Sequence, residues 1–252
     1  MARSPAMSSS PRKTSCLGPE RVRVVSLVPS STETLLSLGA DVVACTRFCE
    51  QPSLRHVGGT KNPEIDEIVG LAPDLVVLDR EENRIEDHDA LVAAGLNVFV
   101  SDVRTVQAGL AVVHQLADAV GAPTQRSTLG IDGAAVQRSA FVPIWRRPWM
   151  SISSATYGAS LLAHLGIGLV QVDSDDAYPT VELAEIALAA PDLVLVPSEP
   201  YEFKPAHLGE LHEALPMAEI IEIDGQDLFW WGSRTPSAVS RLQAALAPQS
   251  TR

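Results

Sequence analysis

The sequence predicts an α/β protein of two similar lobes, each with an open, mostly parallel sheet flanked by helices, joined by a helical linker and facing each other across a ligand cleft. Three observations predict it. Residues 67–78, EIVGLAPDLVVL, align without a gap to residues 185–196, EIALAAPDLVLV, sharing the Glu-Ile pair and the run Ala-Pro-Asp-Leu-Val, and self-similarity of this kind fixes architecture before any single motif does. Upstream of each copy a strand-like run enters a serine-rich corner and then an apolar pattern of helical period: VSLVPSSTETLLSLGA near residue 25 and MSISSATYGASLLAHLGI near residue 150. Between the halves, RTVQAGLAVVHQLADAVG (104–121) puts Val106, Leu110, Val113, Leu116, Ala117 and Val120 on one face of a helix.

The elements follow in order. Residues 1–21 are rich in Ser, Pro, Arg and Lys and carry no apolar core, so they read as a disordered leader rather than a secretory signal. The N-terminal lobe (22–103) has strands expected near 22–28, 41–45, 74–78 and 96–100. Its first corner contains Ser30 and Glu33, the S-x-x-E spacing of a capping box, in which Ser30 would serve the Glu33 N–H and Glu33 the Ser30 N–H. The linker (104–140) starts with the amphipathic helix and continues through a poorer helical stretch holding Gly130 and Gly133. A single helical crossing restricts hinge motion. The C-terminal lobe (141–246) has strands expected near 149–153, 168–172, 192–196 and 219–223, and 247–252 is a tail. In open parallel sheets the corners after the strands lie at the carboxyl edge, where ligands bind.

Composition narrows the function. The chain has 252 residues, 46% of them hydrophobic, and a formal charge of −12. The excess of carboxylates argues against nucleic acid, whose phosphates need clustered Lys and Arg, and no run approaches the ~18 apolar residues of a membrane span. Cys16, Cys45 and Cys49 are too few for a disulfide framework and lack partners for zinc. GGTKNPEI (58–65) lacks the spacing of a phosphate-binding loop. His56, His88, His114, His164, His207 and His212 show no H-x-x-x-H or H-x-H spacing, so no protein-built metal site is expected; His114 and His164 read as packing residues. A hydrolase built on Ser30 or Ser31 is the remote alternative, because no G-x-S-x-G elbow or neighbouring base accompanies either serine.

The motifs RVVSLVPSSTETLLSLGA, VGGTKNPEIDEIVGLAPDLVVLDREENR, FVPIWRRPWM, VPSEPYEF and DGQDLFWWGSRTP, in this order, resemble those of the class III substrate-binding proteins of ABC importers. Within that class the resemblance is to the cobalamin-binding, helical-backbone metal receptor group, and it runs from about residue 22 to residue 246. It implies a monomeric, non-enzymatic protein with no catalytic residues and no intrinsic cofactor, which binds a large chelate carrying its own cobalt or iron and delivers it to an ABC permease. Cobalamin or another corrinoid is the first expectation. A ferric siderophore, haem, or an intracellular carrier or sensor role for the same ligands are the alternatives. Without an export signal the chain as written reads as cytoplasmic; the resemblance places it outside the cytoplasm if the start is misassigned.

A flat, largely apolar ligand with a polar rim calls for stacking rings and a few polar anchors. Aromatics are only 5% of the chain, yet they concentrate in the motifs: Trp145, Trp149, Tyr157, Tyr201, Phe203, Trp230 and Trp231 are the candidate ring contacts, while Phe229 reads as core. Ser31 and Thr32 at the first corner, Lys61 and Asn62 beyond the glycines, and Arg80 and Glu82 after the first repeated strand are the candidate polar contacts. By the resemblance, an exposed glutamate on each lobe would meet permease arginines, and Glu86 and Glu210 are the nearest placements.

Overall fold

The computed structural model describes residues 21–123, 135–170 and 174–247. The leader up to residue 20, the glycine-containing part of the linker, the end of the strand expected at 168–172 and the last five residues lie outside the described residues. The N-terminal lobe contains β1 (Arg23–Ser26), α1 (Pro29–Ser37), β2 (Asp41–Cys45), β3 (Arg55–His56), β4 (Gly58–Gly59), β5 (Asn62–Pro63), α2 (Ile65–Gly70), β6 (Leu75–Asp79), α3 (Ile85–Ala93) and β7 (Val98–Ser101). Helix α4 (Val106–Val120) leads out of it. The C-terminal lobe contains β8 (Arg138–Phe141), β9 (Pro143–Trp145), β10 (Met150–Ser151), α5 (Tyr157–His164), β11 (Ile167–Leu169), α6 (Leu183–Ala189), β12 (Leu193–Pro197), α7 (Pro205–Ala214), β13 (Glu219–Ile223), α8 (Gly225–Phe229) and α9 (Thr235–Leu246).

The first sheet runs β3-β2-β1-β6-β7 and the second β11-β8-β12-β13, with parallel pairing throughout both. Leaving out the edge strand β3, the two orders superimpose element for element: β2-β1-β6-β7 matches β11-β8-β12-β13. The repeat in the sequence is therefore a repeat of topology. Its Pro-Asp turn does the same work twice. Asp74 accepts a hydrogen bond from the backbone N–H of Arg23 at 2.8 Å, and Asp192 accepts from the N–H of Ser139 at 2.6 Å and from its hydroxyl at 2.9 Å. Each aspartate thus ties the start of its own strand to the central strand of its sheet, β1 or β8. The alanine before each Pro is left-handed, Ala72 at φ 46° and Ala190 at φ 47°, which ends the helix and turns the chain back toward the sheet.

Two expectations are corrected. The strand expected at 149–153 is not part of the second sheet: Met150–Ser151 pairs antiparallel with Pro143–Trp145 in a separate two-stranded ribbon. The central strand is β8, which begins at Arg138, inside the stretch read as linker. RSAF carries too few apolar residues to read as a buried strand, so the signal fell on the ribbon that follows it. On α4 the buried face is Val106, Gly109, Val112, Leu116 and Ala117, rotated from the expected one. The reason is Gly109, where a Cβ would lie 3.2 Å from the Cβ of Trp231; the helix turns its glycine inward and lets the second lobe pack close.

Residues alternate between cores along the strands, as the two-residue period of a pleated strand requires. In β6, Leu75 and Val77 face one way and Val76 and Leu78 the other; in β12, Leu193 and Leu195 oppose Val194 and Val196. The outer faces form a separate cluster in each lobe. The inner faces share one: Val24, Leu35 and Val77 of the first lobe, Val106, Val112 and Leu116 of α4, and Leu161, Leu162, Leu193, Trp231 and Leu242 of the second form a continuous buried apolar cluster.

Polar contacts reinforce this junction. Arg234, at the start of α9, donates to both carboxylate oxygens of Glu33 on α1 at 2.8 and 2.9 Å, and also pairs with Asp227 at 3.2 Å. Arg241 donates to Asp227 as well, at 2.5 and 2.6 Å. Beside this network Gly232, at φ 108°, approaches Thr34 so closely that a Cβ would fall 2.2 Å from the threonine hydroxyl. The lobes meet through packed side chains and ion pairs in addition to the linker.

Candidate functional site

The carboxyl edges of both sheets open into one cavity of about 460 Å³ between the lobes. The first corner supplies Pro29 and Ser30, the loop around β4 and β5 supplies Lys61, and the end of β6 with its following loop supplies Asp79, Glu81 and Glu82. The second lobe contributes Trp145 and Met150 from the ribbon, Thr156, Tyr157 and Gly158 from the start of α5, Tyr178, Glu199, and Phe229, Trp230 and Trp231 after β13. The division is chemical as well as topological. Every aromatic ring in the lining comes from the second lobe, while the lysine and three of the four carboxylates come from the first.

The first corner departs from its expected role. Pro29 is the first helical residue, a position that suits its fixed φ and missing N–H, and Val28 precedes it as an N-cap with no side-chain bond. Ser30 is thus inside the helix and cannot act as the cap, and Glu33 is taken by Arg234. The capping box does not form. The second corner does cap its helix, through Thr156, whose hydroxyl accepts from the Ala159 N–H at 3.3 Å. Ser31 and Thr32 are fully buried and outside the cavity lining. Thr32 Oγ1 lies 2.8 Å from both Ser26 Oγ and the Val28 carbonyl and 3.2 Å from Cys49 Sγ, and Ser31 Oγ has no hydrogen-bond partner. At a helical period these two residues turn toward the sheet, which leaves Pro29 and Ser30 at the cleft.

The structure brings Lys61, Glu82, Trp145, Tyr157, Trp230 and Trp231 together in the cavity wall. It leaves Asn62 and Arg80 outside it; Arg80 pairs loosely with Asp102 at 3.6 Å. Trp149, Tyr201 and Phe203 lie behind the wall. Trp145 meets Tyr201 edge-on at 5.0 Å between centroids, Tyr201 meets Phe203 at 4.9 Å, and Phe203 stacks on Trp149 at 5.9 Å, so three of the expected contacts brace the fourth. Glu86 is exposed in the first turn of α3, and Glu210 on α7 is held by the Arg146 guanidinium. His114 packs as expected, with Nδ1 against the Leu110 carbonyl at 2.9 Å, although its Nε2 is buried without a partner.

Sequence reading missed Asp79, Glu81 and Tyr178; Phe229, read as core, packs against the shared apolar cluster and also reaches the cavity wall. Asp79 carried a usable signal, an acidic residue closing a buried parallel strand at its carboxyl end; Tyr178 carried none, being a single ring in a polar loop. Phe229 is half-buried, its edge set against Gly158, where a Cβ would lie 3.2 Å from the ring.

Electrostatically the cavity is acidic. The buried Asp79 accepts from Ser101 Oγ at 2.7 Å and from the Glu81 N–H at 2.9 Å, yet burial still raises its carboxyl above the ordinary range. Desolvation raises Glu82 and Glu199 in the same direction. Glu199 accepts from Trp230 Nε1 at 2.8 Å, which fixes both the carboxylate and the indole plane. Burial, and after it the nearby Glu81 carboxylate of the first lobe, push the Tyr178 hydroxyl above its ordinary range. Lys61 Nζ donates to the Glu81 carbonyl at 2.6 Å. Among the described residues no group of three or more His, Cys, Asp and Glu side chains is placed to hold a metal ion, and no helix is long and apolar enough to cross a membrane.

Two parallel-sheet lobes sharing an inner core and enclosing an aromatic, acidic cavity define a two-lobed binding protein with an interlobe cleft. The comparisons agree on this class. Over 88–92% of its length the chain takes the fold of solved periplasmic binding proteins: TM-score 0.75 and 21% identity to the heme binding protein HutB of Vibrio cholerae, spanning 90% of this chain and 99% of that one, and TM-score 0.68 and 17% identity to the vitamin B12 binding protein BtuF of the same organism, spanning 89% and 96%. In sequence it is 26% identical over 192 residues to the vitamin B12-binding protein of Yersinia pestis, 69% of each chain, and 22% identical over 193 residues to that of Photorhabdus laumondii subsp. laumondii, 69% of this chain and 70% of that one. No protein-family model matches. These likenesses bear out the resemblance to the class III substrate-binding proteins carried by the five motifs.

Proposed function

We propose that this chain is a non-enzymatic binding protein that captures a corrinoid, cobalamin or a relative, in the interlobe cavity and presents it to an ABC importer outside the cytoplasm. The observation that carries the reading is the cavity itself, six aromatic side chains on one wall facing polar groups on the other, which is the arrangement a flat apolar body with a hydrogen-bonding rim requires. The relatives named for vitamin B12 support the same ligand class. The ligand brings its own cobalt; no protein ligand set is asked to hold it.

Haem or a ferric siderophore is the second reading, favoured by the likeness to heme-binding neighbours and by the cavity-lining tyrosines Tyr157 and Tyr178. Neither Ser30 nor Ser31 hydrogen-bonds a base among the described residues, so a serine hydrolase has no support. At the permease, Glu86 is free to pair with an arginine, while Glu210 would exchange Arg146 for one.

Titrating the purified protein with cyanocobalamin, cobinamide, haemin and ferric siderophores, read by tryptophan fluorescence and thermal shift, tests the reading. At 100 times Kd a corrinoid should stabilise the fold by about 2.7 kcal/mol, which for a chain of this size raises Tm by roughly 5–10 °C. The absence of a response to every one of these compounds would reject it. Cell fractionation with sequencing of the mature N-terminus tests the location.

A further inference from the structure

Resting on the reading of the cavity as a chelate site, we infer that Glu82 and Glu199 select the charge of the ligand's rim, admitting a planar chelate edged with amide N–H groups or carrying positive charge and rejecting one edged with carboxylates. The geometry is specific. Asp79, Glu81, Glu82 and Glu199 line the cavity against a single cation, Lys61, and among the described residues neither arginine nor histidine joins the lining. Lys61 is turned to a backbone carbonyl, so no free donor array waits for an anion.

The four carboxylates are not equivalent. Asp79 is spent on Ser101 and the Glu81 N–H, and Glu81 sits close enough to Tyr178 to raise its hydroxyl. Glu199 keeps one oxygen on Trp230 and leaves the other to the cavity, while Glu82 has no hydrogen-bond partner among the described side chains. Their surroundings deepen the negative field: Asp79, Glu81 and Glu199 act on Glu82, opposed only by Lys61, and Glu50 and Asp224 act on Glu199, opposed by Arg234. These two glutamates stand on corresponding loops of the repeat, after β6 and after β12, and so approach the cavity from opposite lobes. A disc stacked on the aromatic wall would present its rim to both. Amide N–H groups there meet acceptors; carboxylates meet like charge at the open rim of the cleft, where added salt screens it.

Equilibrium binding of three probes tests this: cobinamide, a cationic amide-rimmed corrinoid; cyanocobalamin, amide-rimmed and neutral overall; and haemin, with two carboxylates. Wild type should prefer both corrinoids over haemin by tenfold or more, cobinamide most of all, and 0.5 M salt should shrink the margin. In Glu82→Gln/Glu199→Gln, whose glutamine can still accept from Trp230, cobinamide should weaken and haemin strengthen by roughly tenfold each, the scale expected on removing two partly screened unit charges. Haemin binding as tightly as the corrinoids, or a preference that neither salt nor the double variant moves, overturns the inference while leaving a chelate-binding protein intact. If none of the three probes binds, the proposed function falls with it. The salt series on wild type holds even if the double variant does not fold.

Discussion

Ser31 and Asp227 are buried polar residues of opposite kinds. The Ser31 hydroxyl is sealed in without a partner, and an unsatisfied buried hydroxyl costs stability, about 1–3 kcal/mol in the worst case. Ser31→Ala should therefore leave the free energy of unfolding, read from chemical denaturation, unchanged or raise it by up to about 1 kcal/mol. A clear loss would mean that the hydroxyl is paired in solution. Asp227, equally buried, is held below the ordinary carboxylate range, first by Arg241 and then by Arg234. Because its folded value is depressed, its contribution is complete above the pKa of the unfolded chain, near 4, and is lost as pH falls through the folded value. Removing the carboxylate takes one partner from Arg234, which keeps Glu33, and the pairing of the half-exposed Arg241, so Asp227→Ala should cost about 1–2 kcal/mol and roughly 2–8 °C in Tm. Part of the variant's deficit should vanish when both proteins are compared below pH 4.

At the scale of elements, the helix-to-strand unit was legible because it is written twice. Its Pro-Asp turn stood out by repetition, and the structure supplies the cause: each aspartate anchors the central strand of its sheet. Asp192→Ala should lower the Tm, because the Ser139 N–H and hydroxyl lose their acceptor, and Asp74→Ala should do the same through the Arg23 N–H. Unequal losses, one near zero, would show that the two turns are not mechanically equivalent. The first corner was legible as strand-to-helix but misread in detail. A capping box is a local pattern, and Glu33 is claimed by an arginine 201 residues away, which no local pattern contains. Strand β8 was missed for the converse reason: its burial comes from neighbours on both sides, and RSAF carries little of that in its own composition.

For the whole molecule, the aromatic clustering located the cavity but could not sort its rings, because Trp145 and its brace of Tyr201, Phe203 and Trp149 are chemically alike and differ only in which layer they occupy. The shared inner cluster has a measurable consequence. All four tryptophans, Trp145, Trp149, Trp230 and Trp231, belong to the second lobe, so fluorescence follows that lobe while far-ultraviolet circular dichroism follows both. With Val24, Leu116 and Trp231 in one apolar cluster, the two probes should give coincident unfolding curves. Separated curves would mean that the lobes melt independently. Gly232→Ala, which would force Thr34 away from the start of α9, is the substitution most suited to pulling such curves apart.

The ribbon of β9 and β10, like the edge strand β3 and the β4–β5 pair of the first lobe, keeps the two halves from being copies. Equal lobes would enclose a pocket with a two-fold axis, and a disc laid in it could be turned over without penalty. By interrupting the path from β8 to α5 in one half only, the ribbon carries Trp145 and Met150 into the wall and removes that axis. The cavity acquires a handedness, and with it the means to tell the upper face of a flat guest from the lower.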